Sequence, residues 1–235
     1  MKHLINKNVD WNEYKNTFPI RYIARESKLD TELHKIISDI IEKRNFCKIL
    51  DVGGGPEFTI ALHRIINEWK FDCQGELYLL DPFVTMKETA DFCRQIDWDY
   101  IKYNEDFGYK EKFDLIVMRG SMNYLTLPEI NTISNVLNYD GILIANSFAL
   151  PKNISREIET AYSKGKETCE IMTTPDGIRM FHRLEIILDG KTFEHEFYYH
   201  GPFEVVDAME NRVDISFYGS NSVLYKQTRK LNEKS

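Results

Sequence analysis

The stretch Lys48-Ile49-Leu50-Asp51-Val52-Gly53-Gly54-Gly55-Pro56-Glu57 constrains this chain more than any other. A short apolar run ends on an acid, passes through three consecutive glycines and leaves through proline into the largely apolar run Phe58 to Leu62. The first part reads as a strand. Proline followed by an acid reads as the first turn of a helix, where a fixed φ and a carboxylate near the positive end of the helix dipole both fit. Glycine supplies positive φ and, lacking Cβ, lets a ligand come against the backbone. A plain turn rarely needs three glycines, so the stretch predicts a ligand at a strand end.

Two phosphate-binding motifs share this outline, and neither fits. A phosphate loop ends in Gly-Lys-Ser/Thr, and the chain's one such triplet, Gly190-Lys191-Thr192, lies far downstream without the upstream glycine. The dinucleotide fingerprint needs a final glycine where this chain has Phe58.

Elements predicted around the loop alternate. Leu33, Ile36, Ile37, Ile40 and Ile41 recur at helical spacing within Asp30 to Lys43. A strand is predicted at Glu76 to Asp81, a helix from Lys87 to Gln95 and a weak strand at Tyr100 to Tyr103. A strand at Phe113 to Met118, a helix opened by Pro128 and a strand at Gly141 to Asn146 follow. Strand alternating with helix argues a parallel, doubly wound α/β sheet. Ligands of such sheets bind beyond the carboxyl ends of the strands, which places Asp81 for the two hydroxyls of a ribose.

Beyond Ser147 the pattern changes. A long polar helix is predicted from Ile154 to Thr168, then two alternating runs, Met180 to Leu188 and Thr192 to Tyr199, flanking Asp189-Gly190 as in a β-hairpin. A last helix, Pro202 to Met209, and an antiparallel pair, Val213 to Tyr218 and Ser222 to Tyr225, close the chain. It reads as one domain, residues 1–235, divided at the first strand and after the fifth into 1–46, 47–150 and 151–235.

The Asp51 to Pro56 loop, Asp81, and the strand and loop from Phe113 to Tyr124 together resemble the class I S-adenosylmethionine-dependent methyltransferases of small-molecule type. The resemblance implies a Rossmann-like doubly wound seven-stranded sheet, mostly parallel with an antiparallel C-terminal strand, an N-terminal helical lid and a β-hairpin insertion; it makes 1–46 the lid, 47–150 a cofactor-binding half and 151–235 a substrate-side insertion with the closing strands. It implies S-adenosylmethionine as cofactor, held by Asp51, Gly53, Gly54, Gly55, Asp81, Pro82 and Arg119. Arg21 would meet the methionine carboxylate, and Asn104 or Glu105, in a register left open as far as Asp106, would meet the adenine. The aromatic series Trp11, Tyr14 and Phe18, with Tyr124, His182 and Tyr198, would face the acceptor. Glu57 departs from the family's usual glycine, and Asn211-Arg212 from its usual Gly-Phe.

Methyl transfer from a sulfonium is an in-line displacement for which the protein mainly supplies alignment and exclusion of water. A hydroxyl or protonated amine acceptor also needs a base, and histidine suits neutral pH. His182, His195 and His200 fall in the region expected to face substrate; His200, in a loop before a helix, is the candidate base. The acceptor atom is open among oxygen, nitrogen and carbon. A noncatalytic binding or regulatory protein of the same fold is the alternative, with a nicotinamide-dependent oxidoreductase behind it.

Lys+Arg 30 against Asp+Glu 37 gives a net charge of -7, which opposes nonspecific attraction to nucleic acid. Cys47, Cys73, Cys93 and Cys169 show no paired ligand spacing, so neither a metal nor disulfides are expected. Without an apolar leader or a run of membrane-spanning length, a cytoplasmic protein is expected. The oligomeric state is open, a homodimer included.

Overall fold

A computed structural model describes residues 33, 35–40, 42–43, 48–54, 62–63, 76–81, 93–101, 112–148, 153–159, 164–175, 177–186, 191–209, 212–218 and 222–228. Eleven strands are described: β1 (Lys48–Val52), β2 (Glu76–Leu80), β3 (Arg94–Gln95), β4 (Phe113–Met118), β5 (Leu137–Phe148), β6 (Ile154–Glu159), β7 (Lys164–Thr174), β8 (Gly177–Ile186), β9 (Lys191–Tyr199), β10 (Arg212–Tyr218) and β11 (Ser222–Thr228). Helix α1 spans Leu127–Asn135, helix α2 spans Pro202–Met209, and Met122–Tyr124 forms a 3-10 turn.

Seven strands form one sheet in the order β10-β11-β5-β4-β1-β2-β3. The pairs β1–β2, β1–β4, β2–β3 and β4–β5 are parallel, whereas β11 runs antiparallel to both β5 and β10. This is the expected Rossmann-like sheet with its antiparallel C-terminal strand. Its central strands read as unbroken apolar runs because both faces are covered. Leu50, Val52, Ile116 and Met118 pack with Ile130, Ile133, Val205 and Met209, from α1 and α2. The alternate residues Ile49, Leu115 and Val117 pack on the other face with Leu33, Ile37 and Ile40. Residues 35–40 are helical, so this part of the Asp30 to Lys43 expectation holds.

The largest correction concerns residues 154–168. The predicted helix is instead β6 and the start of β7, and these extend the β8–β9 hairpin into a four-stranded antiparallel sheet, β6-β7-β8-β9. Helical propensity in this polar segment is overridden by cross-strand pairing, whose partners are distant in sequence: Lys166 stands opposite Glu185 and Glu167 opposite Leu184. Two smaller corrections fall before β4. Arg94–Gln95, expected to end a helix, is a short edge strand, and residues 98–101, where the weak strand was to begin, are helical. Trp98 and Ile101 are buried on the α1 side of the sheet, which a helical turn permits. Of the lid expected over residues 1–46, residues 1–32, 34, 41 and 44–46 lie outside the described residues.

α1 begins with a capping box. Thr126 Oγ1 accepts from the Glu129 amide at 3.4 Å, while Glu129 Oε2 accepts from the Thr126 amide at 2.8 Å. At the other end of the core, Gln227 Nε2 on β11 donates to Ser134 Oγ at 2.7 Å and to the Met209 carbonyl at 2.8 Å, tying α1, α2 and the antiparallel strand together. Replacing Thr126 by alanine removes the reciprocal cap and is expected to lower unfolding stability by about 1 kcal/mol, read as a shift in the urea midpoint at unchanged slope.

Candidate functional site

Parallel pairing of β2, β1, β4 and β5 brings their carboxyl ends to one edge of the sheet. There stand Gly53 and Gly54 after β1, Asp81 after β2, Arg119 to Tyr124 after β4, and Asn146 and Ser147 at the end of β5. Asp51 is 0% exposed and Asp81 7% exposed, so two carboxylates are buried at this edge.

The glycine loop is fixed from two sides. The Gly53 amide donates to the Leu80 carbonyl at 2.9 Å, and Ser121 Oγ donates to the Val52 carbonyl. Gly53 has φ of 66°, and a Cβ there would lie 2.7 Å from Ser121 Cβ. A Cβ on Gly54 would lie 2.2 Å from Asp51 Oδ2. Both glycines are therefore required by close approach. Gly120 also has φ of 66°, but a Cβ there would meet nothing within 4 Å, and its amide donates to Asn146 Oδ1 at 2.8 Å.

A second wall rises from the four-stranded sheet. Asn123 Nδ2 donates to the Tyr198 carbonyl at 2.9 Å, and the Tyr124 ring packs against Phe197 with centroids 5.3 Å apart. Tyr198 stacks on His200 at 5.8 Å, with the Arg179 guanidinium over its ring at 5.1 Å. His200 is 6% exposed, and its Nε2 meets the Leu125 carbonyl at 2.7 Å. A carbonyl only accepts, so Nε2 carries the hydrogen and Nδ1 is the nitrogen available to take a proton. Burial lowers the His200 pKa below its ordinary 6.5, opposed by the Leu125 hydrogen bond and the nearby Glu204 carboxylate. Next to it, burial first and Glu204 second raise the Tyr199 pKa, and burial raises that of Tyr225, to which Ser147 Oγ donates at 3.2 Å.

The structure thus gathers Asp51, Gly53, Gly54, Asp81 and Arg119 at one sheet edge, while Tyr124 meets Phe197 on one face of β9 and Tyr198 stacks with His200 on the other. His182 is placed in β8, opposite Cys169 and His195, and its side chain lies outside the described ones. Trp11, Tyr14, Phe18, Arg21, Gly55, Pro82, Asn104 and Glu105 lie outside the described residues. Ser121, Asn123 and Asn146 were not singled out from the sequence. For Asn146 a signal was present: an amide at the carboxyl end of an apolar strand, where α/β sheets place their ligands. Ser121 and Asn123 act across long sequence separations and left none. Among the described residues no helix is long and apolar enough to cross a membrane.

No family model matches the sequence, and no curated protein matches it. Solved structures do. DesVI of Streptomyces venezuelae is 17% identical, with 92% of this chain and 98% of that one covered, at a TM-score of 0.59. CalS10 of Micromonospora echinaspora, an amino pentose methyltransferase of calicheamicin biosynthesis solved with S-adenosylmethionine bound, is 14% identical, covering 94% and 99%, at 0.58. An S-adenosylmethionine-dependent methyltransferase of Clostridium acetobutylicum is 15% identical, covering 90% and 98%, at 0.56. At these identities the likeness is one of fold, and it extends over nearly the whole of each chain.

Two outcomes follow from the geometry. Gly53→Ala meets both left-handed strain and the Ser121 contact and is expected to destabilise by more than Gly120→Ala, which meets only the left-handed strain of about 1–2 kcal/mol; thermal unfolding of the pair checks the order. Because the His200 pKa is lower folded than unfolded, the unfolded state binds the extra proton, so its contribution costs stability as pH falls through 6.5. His200→Gln is expected to flatten the loss of melting temperature between about pH 7 and 5 relative to the parent protein.

Proposed function

We propose that this chain is an S-adenosylmethionine-dependent methyltransferase acting on a small-molecule acceptor. The observation that carries the reading is the sheet edge itself: Gly53 and Gly54, where Cβ atoms have no room, flanked by the buried carboxylates of Asp51 and Asp81. Such an edge suits a nucleoside with a cationic amino-acid tail, since backbone can approach closely and the acids accept hydrogen bonds from hydroxyl or ammonium groups.

In this reading Asp81 accepts from both ribose hydroxyls, with Pro82 turning the chain behind it. Asp51 and the Gly53–Gly55 backbone hold the amino-acid tail, whose carboxylate Arg21 meets. Asn104 or Glu105 binds the adenine amino group, and Arg119 lines the cofactor side of the β4 loop. When bound, S-adenosylmethionine supplies an electrophilic methyl group on a sulfonium. Trp11, Tyr14, Phe18, Tyr124 and His182 shape the acceptor's side and exclude water, while Tyr198, on the other face of β9, stacks on His200. His200 Nδ1 takes the proton that the acceptor's nucleophilic atom releases. A lowered pKa suits this task, because it keeps the imidazole neutral at pH 7. An amino sugar is the first acceptor class to try, given the fold shared with CalS10, an amino pentose methyltransferase.

The test is a ligand titration. S-adenosylhomocysteine at 100 times its Kd is expected to add about 2.7 kcal/mol of stability, whereas NAD at equal concentration leaves the melting temperature unchanged. No shift with S-adenosylhomocysteine overturns the proposal. Asp81→Ala is expected to weaken that binding by about 1–3 kcal/mol, measured by calorimetry on a variant whose circular dichroism matches the parent.

A further inference from the structure

At the carboxyl end of β5, the side-chain amide of Asn146 has one half committed and the other half open. The Gly120 amide donates to Asn146 Oδ1 at 2.8 Å. A backbone N–H only donates, so the oxygen faces Gly120 and Nδ2 faces away from it, with two hydrogens to give. Asn146 is 7% exposed, and among the described residues nothing accepts from Nδ2. The polar atoms sealed from solvent without a bond do not include Nδ2, so the exposed remnant of the side chain includes this nitrogen. Burying an amide this far while its donor goes unused costs stability, and a ligand that accepts from it recovers the loss.

The surroundings of this amide fit a ligand. A Cβ on Gly120, whose φ of 66° turns its amide onto Asn146, would meet nothing within 4 Å, so open space adjoins the pair. Between β1 and β4 the opposite holds: a Cβ on Gly53 would lie 2.7 Å from Ser121 Cβ. The strands run in the order β5-β4-β1-β2. Measured across the sheet at about 4.8 Å per strand, the end of β5 lies about 10 Å from the glycine loop and about 14 Å from the end of β2. A nucleoside seated on Asp81, with its tail at the glycine loop, therefore ends short of Asn146.

We propose that Asn146 is a specificity-determining residue on the acceptor's side, whose Nδ2 donates to a hydroxyl or carbonyl oxygen of the acceptor beside the atom that takes the methyl group. The inference rests on the methyltransferase reading above. A neutral amide donor binds such an oxygen through a lone pair and offers nothing to an ammonium group, so it orients a hydroxylated acceptor without holding a protonated, unreactive amine. The Gly120 bond supplies the rigidity: a flipped amide would set two N–H groups against each other, so Nδ2 is aimed before any ligand arrives. Asn146 takes no proton in this role.

The experiment compares two ligands that differ at the reacting position. Sinefungin is S-adenosylhomocysteine with the sulfur replaced by a carbon that carries an ammonium group where the transferable methyl stands. Asn146→Asp keeps an oxygen for the Gly120 amide and replaces the Nδ2 donor by a second, charged oxygen. Calorimetry on the full chain is run at about pH 8, where a carboxyl is ionised and an aliphatic amine protonated. In this variant S-adenosylhomocysteine is expected to bind as it does to the parent. Sinefungin is expected to bind at least about fivefold tighter, the gain when a charge-assisted hydrogen bond replaces a neutral one. Equal effects on both ligands, or none on either, overturn the proposal and leave the methyltransferase reading standing. Weaker binding of S-adenosylhomocysteine overturns it as well, since Asn146 then serves the cofactor. If the variant does not fold, the parent decides: its Asn146 Nδ2 proton resonances are expected to shift when sinefungin replaces S-adenosylhomocysteine, and unmoved resonances overturn the proposal. A parent that binds neither ligand overturns the methyltransferase reading first, and this inference with it.

Discussion

Ser121 reaches from the loop after β4 to the Val52 carbonyl at the end of β1, and the shape of the sheet edge depends on that crossing. The contact leaves no space between the two loops for a side chain on Gly53. It is reinforced by the Gly53–Leu80 bond toward β2 and by the Gly120–Asn146 bond toward β5. Four strand ends are thus joined by three hydrogen bonds through loop residues rather than through the strands' own ladders. Backbone groups that leave the ladder at a strand end need other partners, and here the neighbouring loops provide most of them. The bonds also define the surface that a ligand at this edge would meet.

The same loop carries the constraint outward. Residues 122–124 form a 3-10 turn in which Met122 and Asn123 are buried, and the chain passes through Leu125 into the Thr126 cap of α1. Each step meets the second sheet: Asn123 on the Tyr198 carbonyl, Tyr124 on Phe197, the Leu125 carbonyl on His200. One short segment therefore touches both the glycine-loop edge and the second sheet. The cap of α1 matters beyond helix stability because it fixes where Leu125, and with it the His200 tautomer, can sit.

Legibility in the sequence followed the range of the forces involved. β1, β4 and α2 were readable because their signals are local: apolar runs that end in an acid or glycine, and proline opening an amphipathic turn. The antiparallel closing pair was readable from alternation. Residues 154–168 were not, since Ile154 and Ile158 fit either a helix spaced by four or a strand spaced by two, and only β8, some twenty residues on, decides between them. Arg94–Gln95 failed for a related reason: a two-residue edge strand is held by Tyr78 and Leu79 of β2 and carries no period of its own. At the site, the glycines and acids stood out because close backbone approach and strand-end carboxylates restrict residue type. Ser121 and Asn123 restrict it little, and their importance comes from what the fold brings to them.

His200 is held by contacts that serve the structure and would also suit the base proposed above. Its Nε2–H is committed to the Leu125 carbonyl, and its ring lies on Tyr198, so rotation of the imidazole is opposed by a hydrogen bond and by stacking. Burial lowers its pKa, while Glu204, which accepts from the Gly201 amide at 2.8 Å, pulls the other way. The result is a fixed tautomer with a single basic nitrogen and a bias toward neutrality, which are the properties a proton acceptor needs. The same contacts hold the β4 loop to the end of β9, and burial alone lowers the pKa of a histidine in such a place. The structural role resides in Nε2, and the base proposed above would use Nδ1.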